Sequence, residues 1–119
     1  MDSKTIELEE RRKLRQITAV LQEFKAVDPE ITLPSLIAFC VMALENNKSG
    51  NQVSISETLQ MSSATASRAT SHWADFKMPK RAGLGMMESH IDPEDRRYRV
   101  LKLRPSGIEL AKNITRHLT

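Results

Sequence analysis

The chain has a single cysteine, Cys40, among 119 residues, which excludes an internal disulfide and leaves no thiol cluster for a metal. Its most apolar stretch, residues 33–44, falls short of the run of about 18 that would suggest a membrane span. The N-terminal MDSKTIELEE is charged where a signal peptide needs an apolar core, so a cytosolic protein with no membrane partner is expected. Glycine occurs four times and never in a motif that could cradle phosphate. His72, His90 and His117 fall in separate predicted elements without a spaced acid or thiol partner, so neither catalysis nor a cofactor or metal is expected.

What is present is a modest positive charge, unevenly placed. Residues 68–104 hold nine basic against five acidic residues, +4, while 1–30 and 31–67 each come to −1 and 105–119 to +1. A basic excess gathered on one segment is how a nucleic-acid footprint looks, although a solvated charged surface gives the same count. The length fits one domain.

The first helical pattern covers residues 3–27. Leu14, Ile17, Leu21 and Phe24 recur at steps of three and four, with Val20 and Val27 beside them and charged residues on the other faces. A long helix with one apolar stripe needs a cover, and both a second copy of the chain and its own domain could supply it. Asp28-Pro29 should end this helix, because proline disfavours helical geometry in the residue before it. Thr32 is a good N-cap for a second helix over 33–46, with Pro34 in its first turn. That helix is apolar on most sides, so it should form the central core, with Cys40 buried in it as a small hydrophobe.

Ser54-Ile55-Ser56-Glu57 matches a capping box and predicts a short helix over 55–60. After a turn at Met61, Ser62 or Ser63 should cap another helix reaching about residue 76. Two helices joined this way form a helix-turn-helix, whose second helix can enter the DNA major groove. On that helix Ala66, Ala69, Trp73 and Phe76 give a buried face. The opposite face carries Ser63, Ala64, Thr65, Ser67 and Arg68, then Ser71 and His72. Arginine can grip guanine O6 and N7 in two bonds, serine and threonine can bond bases or phosphates, and alanine can touch a thymine methyl. An exposed Ser/Thr/Ala-rich helix without a partner would have the same composition.

The connector KMPKRAG at 77–83 brings Lys77, Lys80 and Arg81, which could meet phosphates from outside the grooves. The stretch GMMESHIDPEDRRYRVLKL at 85–103 reads as a β-hairpin. Short strands over 86–91 and 98–103 flank a turn that opens with Asp-Pro and carries Asp92, Asp95, Arg96 and Arg97. Arg99 follows in the second strand. Pro105 then opens a last helix over 106–117, with Ile108, Leu110, Ala111, Ile114 and Leu118 as apolar positions. The expected fold is mainly α with a small β-hairpin, a winged helix-turn-helix with a long N-terminal helix (3–30), a winged-helix core (32–104) and a C-terminal helix (105–119).

From Thr32 onward the chain resembles the MarR family of bacterial winged-helix regulators. The resemblance is carried by Met61-Ser62-Ser63-Ala64-Thr65-Ala66-Ser67-Arg68 and by Asp92-Pro93-Glu94-Asp95-Arg96-Arg97 followed by Leu101-Lys102-Leu103 and Gly107. It implies a homodimer that binds double-stranded DNA, most simply as a repressor. Ser62, Ser63, Ala64, Thr65, Ser67, Arg68 and His72 would meet DNA from the helix, with Lys77, Lys80 and Arg81 beside them. Arg96, Arg97 and Arg99 would do so from the wing. Arg97 would enter the minor groove, where negative potential concentrates, with Asp95 and Asp92 holding the tip in shape. Small aromatic effectors are implied as well, though no constellation in the sequence identifies one. Beyond the family's pattern, the 77–83 link is long and the chain stops after one C-terminal helix. Two further readings remain at this stage: a DNA-binding accessory or architectural factor of phage or plasmid replication, and a winged helix that binds only protein.

Overall fold

A computed structural model of the chain describes residues 4–46, 56–57, 60–74, 83–91 and 99–119, with 89–91 and 99–100 described by backbone alone. In order, these residues form α1 (Leu8–Val27), α2 (Leu33–Leu44), α3 (Ser63–Trp73), β1 (Met87–Ile91), β2 (Arg99–Leu103) and α4 (Pro105–Arg116). The architecture is the expected one, mainly helical with one antiparallel hairpin. The described part of the short helix anticipated over 55–60 is helical at Ser56 and Glu57, and Gln60 leaves it with a positive φ of 54°; the rest lies outside the described residues.

Local chemistry sets most of the helix ends. The first helix begins at Leu8, later than the expected residue 3, where Glu7 N donates to Glu10 Oε1 at 3.4 Å and relieves one of the unpaired amides of a helix start. It stops at Asp28, whose side chain accepts from Glu30 N at 3.0 Å as the chain turns through Pro29. Thr32 caps α2 by accepting from Ser35 N, with proline in the first turn. Ser62 caps α3 by accepting from Thr65 N at 3.1 Å.

Nonlocal contacts set the end of α3. The helix stops at Trp73, short of the expected residue 76, because Ala74 turns to extended geometry and forms a parallel bridge with Met87. Three backbone bonds finish the junction: Leu84 N to His72 O at 3.0 Å, Met86 N to Trp73 O at 2.9 Å and Gly85 N to Ala74 O at 3.5 Å. Carbonyls that a helix end normally leaves to water or a cap are thus taken by the strand entering the hairpin. Gly85 makes the approach possible with a φ of 67°, which side chains other than glycine's adopt at a cost.

The hairpin pairs Met87 with Leu103 and continues in register to Ile91 with Arg99. Met87, Leu101 and Leu103 are buried, while the next pair, Glu88 and Lys102, takes the other face, as the period of two requires. Asn46, just past α2, accepts from Leu103 N through Oδ1 at 3.2 Å and holds the edge of β2. Gly107 in α4 packs on this region so closely that a Cβ there would run into Met86 O.

The core lies where all four helices and the hairpin meet. Phe24, Phe39 and Trp73 contact one another edge-on or tilted, with ring centroids 4.7–6.1 Å apart, the arrangement favoured by the ring quadrupoles. Trp73 Nε1 donates to Ser35 O at 2.8 Å, so its polar atom is satisfied inside the core. Two expectations are corrected here. Helix α2 buries Ser35, Ala38, Phe39 and Met42 but leaves Leu33, Cys40 and Leu44 exposed, so it is core on one side only. Cys40 is therefore on the outer side, although partial desolvation still pushes its thiol pKa up.

Candidate nucleic-acid interface

The outer face of α3 is built from its first two turns. Ala66, Ala69, Thr70 and Trp73 are buried, which turns Ser63, Ala64 and Arg68 to the exposed side with Thr65 and Ser67 half-buried between them. The residues fall this way because small buried side chains at 66 and 69 let the helix sit close to α2 while the intervening positions face away. Thr70 Oγ1 donates to Ser67 O at 3.0 Å, so the buried hydroxyl is satisfied within the helix. The expected set Ser62, Ser63, Ala64, Thr65, Ser67 and Arg68 is thus gathered at one end of a helix whose other end is fixed in the core.

Side-chain bonds organise that end. The Ser62 hydroxyl donates to Thr65 Oγ1 at 2.9 Å, and an Arg68 guanidinium nitrogen donates to the same oxygen at 3.4 Å. With the amide of Thr65 also bonded to Ser62, three residues of the outer face form one connected group. Sequence patterning predicts the cap but contains no signal for the Thr65–Arg68 contact, which depends on rotamers.

His72 lies one turn beyond Arg68, and its surroundings differ from those of the first two turns. Its ring is half-buried against the edge of Trp73, centroids 5.8 Å apart, and Nε2 comes within 3.0 Å of Asp28 Oδ2. The distance is that of an ion pair, but Nε2 makes no hydrogen bond there. His72, one of the residues expected to meet DNA, thus lies half-buried beside the end of α1. His117, just after α4, has Nε2 2.9 Å from Glu23 Oε1.

The remaining expected residues divide plainly. Lys77, Lys80, Arg81, Asp92, Asp95, Arg96 and Arg97 lie outside the described residues, and for Arg99 only the backbone is described, in β2 beside Ile91. Lys102 in β2 is exposed, and Arg104, just after the strand, has Nε 3.9 Å from Glu88 Oε1. Among the described residues no group of His, Cys, Asp and Glu could hold a metal ion, and no helix is long and apolar enough to cross a membrane.

A second surface lies along α1. Leu14, Ile17 and Leu21 of α1 and Leu118 after α4 are each 49–51 % exposed, and Ile6, just before α1, is exposed as well. A shallow groove of about 460 Å³ is lined there by Ile6, Leu14, Ala19, Thr18, Gln22, Arg11 and Arg15. Sequence periodicity places the stripe correctly; the structure adds that Phe24 is buried in the core, with Val20 and Val27 packed against it in part.

Neither a family model nor a curated relative matches the sequence. Solved structures match its fold. S. aureus MepR in complex with DNA aligns over 92% of this chain and 81% of its own, with a TM-score of 0.72 and 18% identity. A MarR transcriptional regulator from Methanosarcina mazei Go1 aligns over 90% of this chain and 68% of its own, at 0.65 and 18%. MarR itself aligns over 92% and 72%, at 0.64 and 16%.

Proposed function

We propose that this chain, which has the winged helix-turn-helix fold of the MarR-type regulators, is a sequence-specific double-stranded DNA-binding transcription regulator that acts as a homodimeric repressor. The observation that carries the reading is the outer face of α3: Ser62 to Arg68 form a small, polar, hydrogen-bonded end on a helix anchored at its other end to the start of the hairpin. A helix end without bulky side chains can approach base edges closely, and arginine and hydroxyl groups supply the donors that read them. In this reading α3 lies in the major groove and the hairpin follows the backbone into the minor groove. Arg97 is the group inserted there, and Arg96, Arg99, Lys77, Lys80 and Arg81 add phosphate contacts. The fold similarity to MepR, solved in complex with DNA, supports DNA binding as the role of this fold.

The dimer is formed by the uncovered apolar residues of α1 and Leu118. A two-fold dimer would set two α3 helices on half-sites about 34–36 Å apart, one turn of duplex. Repression follows from occupancy of the site, and no catalytic step is involved.

Selection of bound fragments from random duplex DNA tests the reading. A palindromic motif with half-sites one turn apart is the expected result; fragments without a motif would overturn sequence-specific binding in favour of an architectural role. No retained fragments would leave only a protein partner. On the selected site, Arg97→Ala should reduce the dependence of log affinity on log salt by about one unit.

A further inference from the structure

Thr65 occupies the centre of the outer face, yet its oxygen is already engaged. It accepts the hydroxyl proton of Ser62 at 2.9 Å and a guanidinium proton of Arg68 at 3.4 Å. Ser62 is itself fixed, because its oxygen accepts from Thr65 N at 3.1 Å as the cap of α3. A chain of three side chains therefore runs from the helix cap to the guanidinium. Side chains on a helix lean toward its N-terminus, so this chain draws Arg68 toward the end of α3 that approaches bases first. Arginine carries five N–H donors, and the bond to Thr65 uses one of them. Enough donors remain for a two-bond grip on guanine, a contact that depends on the plane of the guanidinium more than on its charge.

We propose that Thr65 is a positioning residue for base selection: its hydroxyl, held by Ser62, presets the Arg68 guanidinium, so that discrimination at the base facing Arg68 depends on Thr65 without requiring Thr65 to touch DNA. The inference rests on the reading of α3 as the DNA-reading helix. It differs from a direct Thr65 contact, which would give Thr65 a separate effect of its own. It also differs from a purely structural role, since Thr65→Val keeps the side-chain shape and leaves the amide that Ser62 caps.

The experiment uses the full chain and the site obtained by selection. Affinity is measured for that site and for duplexes altered at single base pairs, first with wild type and Arg68→Ala to find the base that Arg68 reads. Thr65→Val, Thr65→Ser and the double variant Thr65→Val/Arg68→Ala follow, with thermal midpoints recorded for each. Thr65→Val should lower discrimination at the Arg68 base by about tenfold, within the range of one two-bond contact, without changing the salt slope. Thr65→Ser should restore it. Arg68→Ala should cost little more in the Thr65→Val background, the non-additivity of residues that act as a unit.

Full additivity of the two substitutions, or wild-type discrimination in Thr65→Val, overturns the proposal while leaving DNA reading by α3 intact. Loss of discrimination that tracks a fall in thermal midpoint and is not rescued by serine also overturns it, in favour of a structural role. Absence of any base preference in the wild-type chain removes the DNA-reading premise itself, and the proposal with it.

Discussion

Trp73 joins three parts of the molecule through one side chain. It packs on Phe24 of α1 and Phe39 of α2 while its indole nitrogen bonds Ser35 O, and it sits fully buried at the end of α3. Truncation to Ala should therefore cost about 3–5 kcal/mol of folding stability, measured by urea unfolding. Cys40 illustrates the opposite case. Helix α2 is apolar at nearly every position, so periodicity offers no way to tell its inner face from its outer one, and its apolar run places the cysteine inside. Because desolvation raises its thiol pKa, less thiolate is present at a given pH. Alkylation by iodoacetamide near neutral pH should thus be slower in the folded chain than in the same chain unfolded in urea, and its rate should climb at higher pH than for a free thiol. Equal rates in both states would remove the shielding. The Ala66, Ala69 and Trp73 face is legible because those residues recur at helical steps of three and four, whereas the Thr65–Arg68 bond is not.

The ends of elements follow the same division. Serine and threonine caps at Thr32 and Ser62 are readable because the capping group and its target lie within three residues. The end of α3 is not readable in that way, since it is set by a strand more than ten residues away that takes up the last carbonyls. Gly107 belongs to both categories. Its place after the second strand could be noticed in the sequence, but the reason is the close passage of α4 over Met86 and Leu103. Gly107→Ala should destabilise the fold by about 1–3 kcal/mol, because the new methyl meets a backbone carbonyl that cannot rotate away. A thermal midpoint equal to wild type would mean that α4 shifts freely on the hairpin.

At the scale of the whole molecule, α1 is divided between two tasks. Its C-terminal end closes the core through Phe24, while Leu14, Ile17 and Leu21 remain exposed with Leu118 nearby. If these residues pair two copies, Ile17→Lys should give a monomer by light scattering. It should also weaken binding to a full palindrome far more than to a half-site; an unchanged mass would assign dimerisation elsewhere. The domain's order of elements was legible from capping and alternation, yet whether the stripe is covered internally was not, because that depends on how far the rest of the chain reaches along α1. The junction of α3 with residues 84–86 has a practical consequence for redesign. Since the helix is anchored at residues 72–74, the segment 62–68 should, in the proposed DNA-reading role, accept other residues at its exposed positions without resetting the hairpin, provided that buried Ala66 is kept. Its new arginine or asparagine groups would inherit the old angle of approach, which makes the two ends of this one helix separable parts, a fixed mount and a replaceable tip.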